Sequence, residues 1–449
     1  MSCYAPLWFK ENHKKYPRAY TQTGKPLEIA SAFSENVYQA DNRAFSAWLQ
    51  HIAAIDKEEG TVIMVQIENE IGMLEDARDY SQEADKAFRA PVPTELMNYL
   101  QKNKKTLHPQ MIKKWESQGC KKQGTWQEVF GADIYTDEIF MAWHYARYVE
   151  RMAQTARSIY NVPLYVNAAM NSRGRKPGEY PSAGPLAHLI DVWRCGAPNI
   201  DILAPDLYDD GFTNWVAQYK LHNNPLFIPE IRLTDNNGVR AFYIFGEHDA
   251  IGISPFSIED GSDSSDSPLV QSYARLKELM PLLIEYQGKG MMKGLLFNQK
   301  DKERIITDDD LSIICRHYFT LPWDPRATDG SAWLEGGGLI LKLSKNEYIV
   351  AGSGIVLEFT KASEKPGSEI RKQLGEDGFA LNNEQIKTKK ERFQGMRCGI
   401  GHVDEVEVDK EGKFRYIRRL NGDQDHQGRH VRISVGEFKI LHVRLYEYQ

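Results

Sequence analysis

The sequence predicts an α/β chain in two parts, a (β/α)8 barrel of the TIM type followed by an all-β sandwich. Three observations predict it. Short apolar strands alternate with helical periodicity from residue 36 to about 260. No strand in that region is followed by a glycine-rich phosphate loop, which disfavours dinucleotide and nucleoside-triphosphate folds. Beyond Gly288 the texture changes to short β-type runs separated by turn signals such as Asn421-Gly422.

In order, the spacing predicts a helix over 41–56, with Phe45, Trp48, Leu49, Ile52 and Ile55 on one apolar face. The run 61–67 is nearly all apolar and reads as a strand buried on both faces, ending in Glu68-Asn69-Glu70. A charged insertion, 72–135, follows, with helices near 95–100 and 110–115; insertions after barrel strands shape the catalytic mouth. A helix is expected from Asp137, capped by Thr136, with Met141, Tyr145, Tyr148 and Met152 at helical spacing. Strands at 163–167, 202–206, 226–230 and 250–256 then alternate with helices at 185–195, 215–221 and 238–245. The polar breaker 260–268 leads to a helix over 270–284. β runs are expected at 338–343, 347–351, 355–359, 431–435 and 438–446, so the boundaries read as a barrel over 1–290 and a sandwich over 291–449.

With 56 basic and 62 acidic residues among 449, the net charge is −6, which argues against a sequence-independent nucleic-acid binder. No apolar run is long enough to make a membrane-spanning helix. Cys3, Cys120, Cys195, Cys315 and Cys398 are far apart, lack C-x-x-C spacing and read as isolated thiols. The 22 Tyr, 18 Phe and 9 Trp suit a ligand that presents flat C–H faces, such as a sugar, although a large core also uses aromatics.

In a parallel barrel the chemistry stands at the C-terminal ends of the strands. Those ends supply Glu70, Asn167, Asp206 with Tyr208, Glu230, and Ser257 with Glu259. Two of them, Glu70 and Glu230, are carboxylates closing very apolar strands. Burial there raises a carboxyl pKa toward the range of a general acid, and a second carboxylate across the mouth completes the pair that glycosidic cleavage needs. Glu68 rivals Glu70 from the same side of the strand, and a solvated loop glutamate is the plain alternative for either. Asn69 is placed to hold a ring hydroxyl. Asn167 is a candidate sugar contact, and Tyr208 a candidate hydrogen-bond donor to Glu230. His144, His188 and His248 have no metal-ligand spacing, and Ser182 and Ser257 lack a nucleophile elbow. No metal and no cofactor is expected.

The segment Val65-Gln-Ile-Glu-Asn-Glu-Ile-Gly72 resembles the Val-Gln-(Val/Ile)-Glu-Asn-Glu-(aromatic or Ile)-Gly motif of glycoside hydrolase family 35, the β-galactosidases of clan A. The resemblance implies Glu70 as acid/base and Asn69 as a galactose contact. Leu226-Phe-Ile-Pro-Glu-Ile231 matches the strand that carries the nucleophile, at Glu230. Tyr180-Pro-Ser-Ala-Gly-Pro185, Ser254-Pro-Phe-Ser-Ile-Glu259 and the tail from Arg419 to Arg429 resemble a bacterial branch whose small C-terminal β domain has no assigned function. The resemblance implies retaining hydrolysis of a terminal β-linked galactose from an oligosaccharide or plant-wall glycan, and a periplasmic or extracellular location. Another β-glycosidase specificity, or a non-catalytic carbohydrate-binding remnant, is the alternative.

Five βα units are legible where the barrel needs eight, and Ser2-Cys-Tyr-Ala-Pro-Leu-Trp8 resembles the loop after the third strand. The expectation is a barrel without its first three units, poorly soluble and inactive when made alone because sheet edges and apolar interior would be exposed.

Overall fold

The computed structural model describes residues 5–169, 174–221, 224–261, 263–364 and 395–449; the segment 2–4, with Cys3, that opens the expected strand-three loop lies outside them. The chain divides into two compact units, Met1–Leu233 with Ala250–Ile258, and Thr234–Asp249 with Glu259–Gln449.

The first unit opens with helix α1 (Leu7–Glu11) and a hairpin of β1 (Arg18–Tyr20) and β2 (Pro26–Ala30). Helix α2 (Glu35–Asp56) starts at Glu35 rather than 41, because Ser34 Oγ accepts from Val37 N–H at the N-terminus. Of its expected apolar face Leu49 is buried, whereas Trp48 and Ile55 are exposed. Strand β3 (Val65–Gln66) is much shorter than the apolar run 61–67. Its partner β4 (Leu164–Ala169) begins opposite Val65, so 61–64 have no strand to pair with, and Ile63 is exposed rather than buried. Between them the insertion carries α3 (Gln82–Phe88), α4 (Thr94–Lys102), α5 (Pro109–Glu116) and α6 (Trp126–Phe130). Helix α7 (Ile134–Ile159) is capped by Asp133, not Thr136: Asp133 Oδ1 accepts from Tyr135 N–H at 3.0 Å and Thr136 N–H at 3.2 Å. A carboxylate there also meets the positive end of the helix dipole.

Helix α8 (Ile190–Gly196), β5 (Ile202–Leu207), α9 (Phe212–Tyr219) and β6 (Phe227–Ile231) continue the alternation. After α10 (Asn237–His248) comes β7 (Gly252–Pro255). Among the described residues five parallel strands pair in chain order, β3-β4-β5-β6-β7. A doubly wound sheet reverses its strand order at a switch point; the sequential order here is consistent with the barrel expected from the sequence. One continuous apolar core, containing Trp115, Trp126, Phe140, Met152 and Trp193, backs the early strands and the long helix.

Among the described residues, the second unit holds α10, α11 (Pro268–Tyr286) and ten strands. They are β8 (Met292–Phe297), β9 (Glu303–Asp308), β10 (Leu311–His317), β11 (Gly336–Ser344), β12 (Glu347–Ser353), β13 (Ile355–Lys361), β14 (Arg397–Val408), β15 (Phe414–Leu420), β16 (Val431–Ile433) and β17 (Lys439–Tyr448). Among the described residues they form two antiparallel sheets, β16-β13-β10-β9 and β15-β14-β17-β12-β11-β8. Residues of both, such as Leu295, Ile313, Val350, Leu357 and Val443, share one core, which makes this a sandwich. Helix α10 groups with the sandwich although the sequence places it in the barrel run ending at 290. Glycine is the reason: a Cβ on Gly246 would lie 2.8 Å from Leu339 Cβ, and one on Gly294 would lie 2.3 Å from Tyr243 O. Two glycines thus let helix and sheet backbones approach closely, and Glu247 on α10 binds Arg304 on β9 at 3.0 Å.

Gly294→Ala forces backbone apart at that contact and is expected to cost about 1–3 kcal/mol. Urea denaturation followed by tryptophan fluorescence checks this; an unchanged midpoint would contradict the packing described.

Candidate active site

Asn69, Glu70, Tyr208, Glu230 and Phe256 line a cavity of about 600 Å³. They come from the residues at or just beyond the C-terminal ends of β3, β5, β6 and β7, where a parallel sheet leaves its loops open.

The segment after β3 is held in an uncommon backbone conformation. Glu68 and Glu70 both have positive φ, 60° and 48°, a left-handed geometry that costs a non-glycine residue about 1–3 kcal/mol. Local hydrogen bonds sustain it: Gln66 Nε2 donates to Glu68 O at 2.8 Å and to Asn69 Oδ1 at 3.0 Å. Asn167 Oδ1 accepts from Glu70 N–H at 2.9 Å. Farther along, Met73 and Ser182 exchange two backbone hydrogen bonds, of 2.8 and 2.7 Å. A Cβ on Gly184 would stand 2.5 Å from Ile71 O, and one on Gly72 2.9 Å from Pro181 C. The Tyr180–Pro185 stretch is anchored in turn by buried Glu138, which accepts from Tyr180 Oη at 2.9 Å and lies 2.8 Å from His188 Nε2.

Glu230 stands beside Asp206 in the register of β5 and β6. Tyr208 Oη donates to Glu230 Oε2 at 2.9 Å. One oxygen each of Glu70, Asp206 and Glu230 lies within 4.8 Å of the others. At an effective dielectric constant near 20, two charges that far apart repel by about 3–4 kcal/mol. The electrostatics follow. Burial, and then the charge of Glu230, hold the Glu70 carboxyl above the usual range, with a hydrogen bond from Asp206 acting the other way. Asp206 is fully buried, and burial together with the charges of Glu230 and Glu70 pushes its carboxyl up strongly. Asp206 is thereby kept as a neutral acid among the three. Three carboxyl oxygens at this spacing also form a set a hard cation can use, but a neutral Asp206 leaves it with less charge to offer.

Asn167, expected to touch substrate, does not line the cavity. It is fully buried, and its Nδ2 donates to Asp206 Oδ2 at 2.6 Å and to Asn69 Oδ1 at 3.3 Å. Its position at the strand end is what the sequence indicated; its amide is consumed in tying β3, β4 and β5 together. Glu68 does not line the cavity either: its carboxyl engages Asp41, and burial with that acidic neighbour raises its pKa well above normal. Sequence reasoning named Asp206 among the strand ends without giving it a role, and did not single out Phe256. Asp206 closes an apolar strand just as Glu230 does, a signal that was available; Phe256, 54% exposed, had no signal beyond its place at a strand end. His144 is half-buried between Phe33 and Phe140, and its desolvation depresses its pKa to about 4. Among the described cysteines none is paired; Cys195, Cys315 and Cys398 are buried.

A family model described as "Domain of unknown function (DUF5597)" matches residues 269–432. No curated protein matches the chain. Solved structures with partial similarity include a β-galactosidase from the psychrophilic Marinomonas ef1, at 12% identity and a TM-score of 0.40 over 62% of this chain and 48% of that one. A β-1,4-mannanase from the common sea hare Aplysia kurodai aligns at 10% identity and a TM-score of 0.27, over 53% of this chain and 60% of its own. An endogalactoceramidase aligns at 12% identity and a TM-score of 0.20, covering 70% and 55%. The chain thus spans about half the length of the first of these structures.

Proposed function

We propose that this protein is a retaining glycoside hydrolase, with Glu230 as nucleophile and Glu70 as acid/base, acting on terminal β-linked galactose. The observation that carries the reading is the approach of Glu70 and Glu230 oxygens to within 4.8 Å across one cavity. Inverting enzymes keep their two carboxyl groups about 6.5–9.5 Å apart to admit a water, and retaining ones hold them at about 5–5.5 Å. The short separation supports retention.

In the first step a Glu230 oxygen, oriented by the Tyr208 hydroxyl, bonds to the anomeric carbon. The bond from that carbon to the leaving oxygen breaks as Glu70 delivers its proton to it. In the second step Glu70, now ionised, takes a proton from water, whose oxygen displaces Glu230 and returns the sugar with its starting configuration. Asn69 offers its amide to a ring hydroxyl, and the exposed ring of Phe256 offers a flat face to the sugar. Galactose as the sugar rests on the resemblance of the segment from Val65 to Gly72, and a panel of nitrophenyl glycosides tests it: preference for another β-glycoside would reassign the sugar and leave the carboxylate roles in place.

Three outcomes are expected. Glu230→Ala abolishes turnover, and added azide restores it by forming the glycosyl azide of inverted anomeric configuration, read by NMR of the product. Glu70→Ala slows substrates with poor leaving groups by roughly 10²–10⁴-fold while sparing the first step for nitrophenolates; parent rates in both variants would dismiss the assignment. The third concerns pH. Glu70 must carry its proton in the first step, so kcat/KM falls as pH rises through its pKa. Because the charge of Glu230 helps hold that pKa up, Glu230→Gln lowers it. Carbon-13 NMR of the glutamate carboxyls checks the sign, and an unchanged or higher value for Glu70 would refute the coupling.

A further inference from the structure

The described residues hold a second group of three metal-ligating side chains, in the sandwich unit: His402, Asp404 and His442, with one ligating atom of each within 4.8 Å of the others. His402 and Asp404 are two apart on β14, and Asp404 is the register partner of His442 on β17. Val403, between the first two, and Val443, which follows His442, point the other way into the sandwich core.

A bulge brings the trio onto one face. The β14–β17 register shifts between Ile400 and His402. Ile400 pairs with Leu445, so an unbroken ladder would set His402 opposite Val443 and turn it into the core. With the bulge at Gly401, His402 pairs with Arg444 and stands on the face of His442. The surroundings fix the ligands further. His442 Nε2 lies 2.7 Å from Glu347 Oε1 on β12, and its ring stacks on Phe414 at 4.9 Å. A carboxylate behind a histidine is the arrangement that fixes ring orientation and tautomer at metal sites. Arg419 donates to each oxygen of Asp404, at 2.8 and 3.1 Å, and His402 Nε2 is 3.5 Å from Asp404 Oδ2. One bond from Arg419 to each oxygen leaves each a further lone pair.

We propose that His402, Asp404 and His442 bind a divalent transition-metal ion, zinc or its near neighbours, joining β14 to β17. Two imidazoles and a carboxylate suit zinc, nickel, cobalt or copper and suit the oxygen-seeking magnesium and calcium poorly. Three protein ligands leave at least one position for water or an incoming oxygen.

Calorimetry with zinc chloride on the intact chain is expected to give one ion per chain, with no comparable uptake of magnesium. His402→Ala and His442→Ala each weaken binding by more than about 100-fold, and Glu347→Gln, which removes no ligand, weakens it about 10–100-fold. Circular dichroism confirms that the variants fold, and the Glu347 variant serves if a histidine variant does not. Glu230→Gln leaves zinc affinity unchanged, which separates this group from the trio at Glu70, and cobalt bound in place of zinc shows nitrogen and oxygen ligation without thiolate bands. Absence of saturable zinc uptake, parent affinity in both histidine variants, or loss of zinc with Glu230→Gln would each overturn the proposal.

Discussion

Three carboxyl groups crowded around one cavity set the terms for the rest of the first unit. Glu70, Asp206 and Glu230 could not all be ionised at their separation without repelling one another by several kcal/mol. The fold answers by burying Asp206 completely beside the two glutamates, which pushes its pKa up and favours the protonated form, while the Asn167 amide that positions it acts the other way. The same amide ties down the backbone of Glu70. One asparagine therefore fixes the position of one glutamate and of the acid next to another. It has to be buried to do so, which explains why a residue at a cavity-side strand end makes no part of the cavity wall.

Much of this was legible in the sequence because strand ends in a parallel sheet are marked twice, by an apolar run and by the polar residue that stops it. That pattern located Glu70, Asn167, Tyr208 and Glu230, and the alternation of elements named the parallel sheet. What the pattern could not convey was where each side chain turns after the strand stops. Glu68 and Glu70 differ by two residues and by periodicity should share a side, yet the left-handed backbone at both sends one to Asp41 and the other to the cavity. Helix limits failed for a related reason: Ser34 and Asp133 act as caps through side-chain hydrogen bonds that periodicity does not register.

The sandwich was harder to read than the parallel sheet. Strands such as Arg397–Val408 and Phe414–Leu420 carry many charges because one face of their sheet is polar, and ion pairs such as Arg418–Glu405 and Arg419–Asp404 link neighbouring strands on that account. The bulge at Gly401 is also invisible to alternation, since it works by breaking it. Gly246 and Gly294 similarly look like weak points within a helix and a strand until the approach of the two backbones is known.

The division of the chain has a consequence for its assembly. The polypeptide leaves the first unit after Leu233, builds α10 within the second, returns for Ala250–Ile258 and departs again. No single cut separates the two, and neither could have been gained or lost by simple joining at an end. During synthesis α10 emerges before the sheet it rests on exists, and must wait, with its apolar side open, until strands made some fifty to a hundred residues later arrive to cover it.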